Sequence, residues 1–415
     1  MSQGTGETGA AVMLRYGEIF LKSEPVRRQF VSLLLRNCEA ALAQKGILSR
    51  PEVYRGRIFF RGGPPDSLAG VLSRVFGVVD VSVCRLTPPD PDLLLDAAVS
   101  QARSRLSPGM RFAVRARREG VEGITSQELA ARVGEAILHA CPGVRVDLGD
   151  PDYEIFVELR EFGGVVYDTQ LPGPGGLPWG TQGRVLALLS PGIDSPVAAW
   201  LMMKRGCEID ALYVSPGALG GRGALSGVLR NISALSTWCP GFSIRLSVVD
   251  AQPFYENLMD RAEPRLRCVI CKRFMMMLAS RFAEREGFLA LCTGDNLGQV
   301  ASQTLANLVV VSRPATLPVL RPLVTCDKQQ IVALAKKIGT FNPQPGDLSC
   351  SVVPRTPATT SREENVKKSE ERVGVGTFID LSLERVTVYT ALNGKVEREE
   401  TSHPGLSRLT HREGG

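Results

Sequence analysis

The stretch Arg184–Gly206, RVLALLSPGIDSPVAAWLMMKRG, decides the fold class of this chain. Its opening, Arg184–Leu189, is an apolar run of strand length. Its end, Pro196–Lys204, has the length and composition of a helix, with Gly206 as the stop. Between them lie Ser190, Pro191, Gly192, Ile193, Asp194 and Ser195. A loop from a buried strand into a helix aims free N–H groups and the positive helix end at one point, which makes an anion site. The Ser190 and Ser195 hydroxyls would add donors. Asp194 sits oddly beside an anion unless it meets a magnesium ion or organises the backbone. A plain strand–helix turn, capped by Asp194 and Ser195 with Pro196 at the first helical position, fits the same residues equally well.

Downstream, Glu208–Val214 is the next strand, and alternation continues to about Ile338. Units of this length predict an α/β domain over 183–360, with a mainly parallel sheet covered on both faces. Upstream, the Gly/Pro-rich segment 171–182 reads as a hinge. Two smaller α+β units precede it. The first, 1–76, is basic, with a helix after Pro25, a strand over Tyr54–Arg61 and a second helix over Ser67–Val75 capped by Asp66 or Ser67. The second, 77–170, is acidic overall but contains the strand Arg111–Arg118. Alternation sets Phe112, Val114 and Ala116 against Arg111, Arg115 and Arg117. That basic face is either merely solvated or a row of guanidinium groups for phosphates. In the tail, 361–415, the charged run Ser361–Arg372 is expected to be loosely held. The Asn393-Gly394 pair inside Val386–Glu397 signals a hairpin.

The chain has 415 residues, 44% hydrophobic and 22% charged, with net charge +6, which excludes disordered and collagen-like classes and permits a polyanionic partner. Ten cysteines are too few for a disulfide-dense secreted scaffold. Met1–Ala10 lacks a basic leader region, and the apolar stretch Val185–Met203 is interrupted by Pro191, Gly192, Asp194 and Pro196. The expectation is therefore a cytoplasmic protein with reduced thiols and no membrane span. Cys268-Val-Ile-Cys271, followed by Lys272 and Arg273, opens a helix-like run. A thiol pair at a helix start beside two cations is expected to have a depressed pKa.

Leu177-Pro-Trp-Gly180 together with the loop above resembles the ThiI family of tRNA 4-thiouridine synthetases, whose loop is that of the PP-loop ATP pyrophosphatases. Thr293–Thr304 (TGDNLGQVASQT), Arg321-Pro-Leu, Asp327-Lys328 and Ile338-Gly-Thr340 resemble successive blocks of the same domain. Arg15-Tyr-Gly-Glu18, Gly56-Arg-Ile58 and Phe76-Gly77 resemble the family's N-terminal ferredoxin-like domain, and the second unit resembles a THUMP domain. Coverage runs roughly from Leu14 to Thr359, in the family's order.

The resemblance implies that O4 of a tRNA uridine attacks the α-phosphate of ATP, pyrophosphate leaves, and sulfur displaces AMP. It implies that Ser190, Pro191, Gly192, Ile193, Asp194, Ser195, Arg273, Gly294 and Gln303 bind the nucleotide with magnesium, and that Asp194 and Lys328 act in catalysis. Gln299 and Ser302 are expected to line the site. Pro191 stands where the family has glycine; it lacks an N–H and fixes φ, and the intact flanking motifs argue that the loop tolerates it.

No cysteine follows Cys350, and the residues after Thr360 do not resemble the rhodanese domain of many members, so the chain resembles the rhodanese-lacking type. There, Cys268, Cys271 and Cys350 are implied to ligate an iron–sulfur cluster that delivers sulfide. The rival is a persulfide on Cys350 resolved by Cys268 or Cys271. The remaining cysteines read as structural. Implied partners are tRNA, a sulfur donor (sulfide or a cysteine desulfurase) and a second copy in a homodimer. Sulfur supply for thiamine's thiazole is a further implied role. A different PP-loop tRNA thiolase and a catalytically degenerate RNA-binding protein are the alternatives.

Overall fold

A computed structural model describes residues 10–344, 350 and 352–399. The chain divides into two units, Met1–Gly176 and Leu177–Gly415.

In the first unit, β1 (Ala10–Tyr16), α1 (Glu24–Ala43), β2 (Arg50–Tyr54), β3 (Arg57–Arg61), α2 (Pro65–Leu72) and β4 (Val78–Thr87) come first. Then follow α3 (Pro91–Arg103), β5 (Arg111–Glu119), α4 (Ser126–Ala140), β6 (Arg145–Val146), β7 (Tyr153–Arg160), β8 (Gly163–Tyr167) and β9 (Leu171–Pro172). Among the described residues the strands form one sheet in the order β2-β3-β1-β4-β8-β7-β5-β6, with β9 on β4. β4 begins just past the boundary expected at 76, yet it pairs antiparallel with β1 of the first expected unit as well as with β8 of the second. The inner face of α1 buries Phe30, Leu34, Cys38 and Ala41.

Three expectations change here. Tyr54–Arg61 is not one strand, because Arg55 and Gly56 (φ 76°) turn the chain between β2 and β3, a left-handed conformation that glycine adopts without steric cost. The α2 helix starts at Pro65, with Pro64 at its cap and no side-chain cap bond, so neither Asp66 nor Ser67 caps it. Proline suits that first turn because its missing N–H had no intrahelical acceptor. The basic strand β5 is partly neutralised by its own unit. Arg111 pairs with Asp147, Asp150 and Asp152, and Arg115 with Glu154, while Arg117 and Arg118 are exposed.

The second unit contains β10 (Arg184–Leu188), α5 (Asp194–Lys204), β11 (Glu208–Ser215), α6 (Ala224–Ser236), β12 (Ile244–Asp250), α7 (Gln252–Arg261), α8 (Arg267–Arg285) and β13 (Ala290–Cys292). It continues with α9 (Leu305–Ser312), β14 (Val319–Leu320), α10 (Lys328–Ile338), α11 (Glu363–Val373), α12 (Val375–Leu383), β15 (Val386–Leu392) and β16 (Lys395–Arg398). The sheet order is β14-β13-β10-β11-β12-β15-β16, parallel from β14 to β12. Strand β10, the middle one of the five parallel strands, is buried on both faces, which explains its unbroken apolar run.

The charged segment Ser361–Arg372 is a helix rather than a loose run. Val366 and Val373 of α11 are buried in the same core as Phe254 and Phe274, and most of its charges lie on the outer side, Glu370 being turned inward. The hairpin signal holds: Asn393 (φ 51°) and Gly394 (φ 85°) join β15 to β16, and β15 adds an antiparallel edge to β12. The remainder of the expected tail, 400–415, lies outside the described residues, as does most of the Met1–Ala10 leader region. No described helix is long and apolar enough to cross a membrane.

Candidate active site

The loop 190–195 leaves the end of β10 and enters α5, whose first helical residue is Asp194 rather than Pro196. First-turn N–H groups have no intrahelical acceptor, and here they sit at the carboxyl end of the central strand. Ser195 Oγ accepts from the Ser190 N–H (2.8 Å) and lies 2.9 Å from Ser190 Oγ. The Ser190 amide and both hydroxyls therefore hold the loop together instead of standing free. Among the described residues, no non-glycine residue except Asn393 has positive φ, and Gly192 is not in that region either. The conformation is thus one that proline can adopt at 191.

Lys328, in the first turn of α10, brings Nζ to 2.9 and 3.3 Å from the two Asp194 carboxylate oxygens. Gln299 donates to Asp194 Oδ2 at 3.1 Å. This answers the oddity of an acid beside an anion site, since the acid is tethered to a cation. Gly294 lies against the same corner. A Cβ there would stand 2.6 Å from Ser195 N and 2.8 Å from the Asp194 carbonyl carbon, so only glycine lets the Thr293–Thr304 segment approach the loop.

Behind it lies a centre that motif reading missed. Asp295 is buried and accepts from Lys272 Nζ (2.8 Å), Thr293 Oγ1 (2.8 Å), Arg321 Nε (3.2 Å) and Gln303 Nε2 (3.3 Å). Burial alone would raise its pKa, but Lys272, the Thr293 hydroxyl and Arg321 outweigh it and hold the carboxyl at about 2. Gln303 therefore serves Asp295, and Ser302 is buried beside it in the chain.

Arg273 does not join the loop. Its guanidinium spans Glu370 of α11 (2.6 and 3.0 Å) and the Val310 carbonyl (2.7 Å), so it braces the tail helix against α8. Lys272, its neighbour, is the cation that turns toward Asp295.

The thiols depart from expectation in acidity. Cys268 and Cys271 do sit in the first turns of α8. Yet burial raises the Cys268 thiol, with Cys350 adding to the shift and Lys272 opposing it. Burial pushes Cys271 up to about 12, with Cys350 and Cys268 adding to it and the Tyr255 hydroxyl opposing it. Desolvation outweighs the helix end and the lysine here. The Cys271 thiol donates to the Tyr255 hydroxyl at 3.4 Å. Cys350 is exposed, pairs its backbone with Gly220, and acts electrostatically on Cys268, Cys271, Tyr213 and Tyr255. The three thiols thus share one neighbourhood. Among the described residues, no group of three or more His, Cys, Asp or Glu side chains is arranged to hold a metal ion. The flanks of Cys350, 345–349 and 351, lie outside the described residues. Of the other cysteines, Cys38, Cys84, Cys141, Cys207, Cys239 and Cys292 are buried.

Asp295 lies in the block Thr293–Thr304 and Lys272 follows the Cys268–Cys271 pair, but nothing in the chain singles out the acid as a hub. Tyr255 and the α6 residue Asn231, which donates to the Ser190 and Gly192 carbonyls, carry no sequence signal.

The chain is similar to known proteins along most of its length. The family described as "Thiamine biosynthesis protein (ThiI)" matches residues 180–375, its ferredoxin-like domain matches 11–82, and a THUMP domain matches 90–167. The chain is 39% identical to a probable tRNA sulfurtransferase of Methanothermobacter thermautotrophicus, covering 88% of this chain and 94% of the relative. It is 37% identical to a tRNA sulfurtransferase of Pyrobaculum aerophilum, over 96% and 79% of the two chains. A crystal structure of a 4-thiouridine synthetase–RNA complex with bound ATP superposes with TM-score 0.80 at 30% identity, covering 93% of this chain and all of the other.

Proposed function

Because this chain belongs to the ThiI family, with the family's ferredoxin-like and THUMP domains ahead of its PP-loop domain, we propose that it is an ATP-dependent tRNA uracil 4-sulfurtransferase. The observation that carries this reading is the loop at the head of α5, with Lys328 bound to Asp194 at its mouth and Gly294 packed on its backbone.

ATP is a substrate here. The first-turn N–H groups of α5 and the Lys328 ammonium receive the phosphates. O4 of the target uridine attacks the α-phosphate, the α–β bridge breaks, and pyrophosphate leaves with its charge held by those donors. Sulfur then attacks C4 and AMP departs with the former O4. Asp194 is the carboxylate that would meet a magnesium ion arriving with the triphosphate, on exchanging its bonds to Lys328 and Gln299. Asp295 does not touch the phosphates; it orients Lys272 and Arg321 behind them.

Cys268, Cys271 and Cys350 are the sulfur end. Three thiolates and no histidine suit an iron–sulfur cluster by donor chemistry. When bound there, such a cluster would supply sulfide as the nucleophile. The thiols as placed do not form a ligand set, so the chain's own contribution is an exposed Cys350 and two partly buried thiols on α8. Iron and acid-labile sulfide after anaerobic reconstitution support the cluster; absence of both leaves the persulfide–disulfide route.

Residues 11–167 bind the tRNA by shape and phosphate contacts. The exposed Arg117 and Arg118 stay in that footprint, whereas Arg111 and Arg115 are spent on neighbouring acids. The family's description supports a second role in supplying sulfur for thiamine's thiazole, for which thiazole auxotrophy on deletion is the test. The main reading is tested by anaerobic incubation with tRNA, ATP, magnesium and sulfide. Mass spectrometry should find 4-thiouridine; a thiolated base elsewhere would point to another PP-loop thiolase, and none at all to an RNA-binding protein without this activity.

A further inference from the structure

Helix α6 presents two residues to the back of the phosphate loop, Gly227 and Asn231, one turn apart on the same face. Asn231 is 4% exposed. Its Nδ2 donates to the carbonyl of Ser190 (2.9 Å) and to that of Gly192 (3.2 Å). An amide nitrogen carries two hydrogens, so both bonds form at once. These two carbonyls flank Pro191. The glycine makes room for the proline ring: a Cβ on Gly227 would stand 2.8 Å from Pro191 Cβ and 3.3 Å from its Cα.

The carbonyl bonds also dictate where an N–H points. In a trans peptide the C=O and N–H lie on opposite sides of the bond, and no described peptide bond is cis. With the Gly192 carbonyl turned to Asn231, the Ile193 N–H points away from α6. Ile193 is the residue at the start of α5, so this amide belongs to the anion-binding turn. Pro191 supplies no N–H, so the loop has fewer donors and depends more on the direction of those it keeps.

We propose that Asn231 and Gly227 are positioning residues for the triphosphate. Helix α6 holds the loop carbonyls on its own side, seats Pro191, and thereby aims the loop amides at the phosphates. Asn231 acts through the loop and not on the ligand. The inference rests on reading residues 190–195 as the triphosphate site.

The test is calorimetric binding of ATP, pyrophosphate and adenosine to the full-length protein. Asn231→Ala is expected to weaken ATP and pyrophosphate by about tenfold, the loss of roughly one ordinary hydrogen bond, and to leave adenosine unchanged. Equal weakening of adenosine would mark a merely structural role and overturn the proposal, as would unchanged pyrophosphate binding. A wild type that binds neither ATP nor pyrophosphate would overturn the site reading and the proposal together. Gly227→Ala gives a second route if Asn231→Ala does not fold. It should weaken pyrophosphate binding in the natural background and weaken it less beside Pro191→Gly, where the Cβ it meets is gone. The same loss in both backgrounds would remove Pro191 from the account.

Discussion

Glu158 in the first unit and Asp194 in the second are both carboxylates met by cations from family motifs, and they differ in what is left over. Glu158 is fully buried. It accepts from Arg57 (2.9–3.2 Å), Arg160 (2.7 Å) and the Tyr167 hydroxyl (3.1 Å), while Arg15 bonds Tyr167 and Asp80. Both oxygens are engaged, and the network ties β1 and β3 to β7 and β8. Asp194 and Lys328 are partly open, with side chains 25% and 51% exposed, beside amides that lack acceptors by helix geometry. A closed network of this kind holds a fold. An open one can exchange a partner for a ligand.

Breaking each should separate the two roles. Glu158→Gln leaves Arg57 buried without its counter-charge and Arg160 with Glu119 alone, and should cost about 3–5 kcal/mol. All three tryptophans, Trp179, Trp200 and Trp238, lie in the second unit. In urea, circular dichroism should therefore show early loss of the first unit while tryptophan fluorescence melts as in wild type. Coincident transitions would mean that the network does not belong to the first unit alone.

Lys328→Met should do the reverse. Stability by tryptophan fluorescence should move by under about 1 kcal/mol, because the pair is half exposed. AMP formation in the presence of tRNA should fall about a hundredfold. Unchanged turnover would reduce Lys328 to a surface ion pair.

Asp295 stands between these extremes, buried but next to the site. Its folded pKa of about 2 lies below its ordinary value near 3.9. A depressed carboxyl contributes stability that is present above the unfolded value and lost as pH falls through the folded one. The stability gap between wild type and Asp295→Asn should therefore be full above pH ~4 and close toward pH ~2. A gap independent of pH in that window would remove the ion pairs as its cause.

The smallest expected effect concerns RNA. Arg117→Ala should lower the slope of log affinity for tRNA against log salt by about one, and Arg111→Ala should leave it unchanged. Equal slopes for the two variants would mean that Asp147, Asp150 and Asp152 do not withhold Arg111 from phosphates.

Much of this was legible in the chain because local pattern and tertiary role coincide. The apolar run into SPGIDSP fixes strand, loop and helix from nearest neighbours, and Asn393-Gly394 needs only its own backbone to turn. Lys328 and Asp194 were legible only as motif members, since 134 residues separate them. What was not legible depended on burial or on distant partners. The acidity of Cys268 and Cys271 is set by desolvation inside the core, which no helix-start argument contains. Arg273 looked free until Glu370, 97 residues on, proved to be its partner. The charged look of Ser361–Arg372 hid Val366 and Val373 on one side of a helix.

In the proposed reaction the loop at the head of α5 spends ATP on an RNA oxygen. The direct measurement uses ATP labelled at the α-phosphate, with tRNA and magnesium, under anaerobic conditions. The label should appear on the tRNA and as AMP, with pyrophosphate released in equal amount, and 4-thiouridine should follow on adding sulfide. Full-length protein that releases no pyrophosphate and leaves the tRNA unlabelled under these conditions would contradict it.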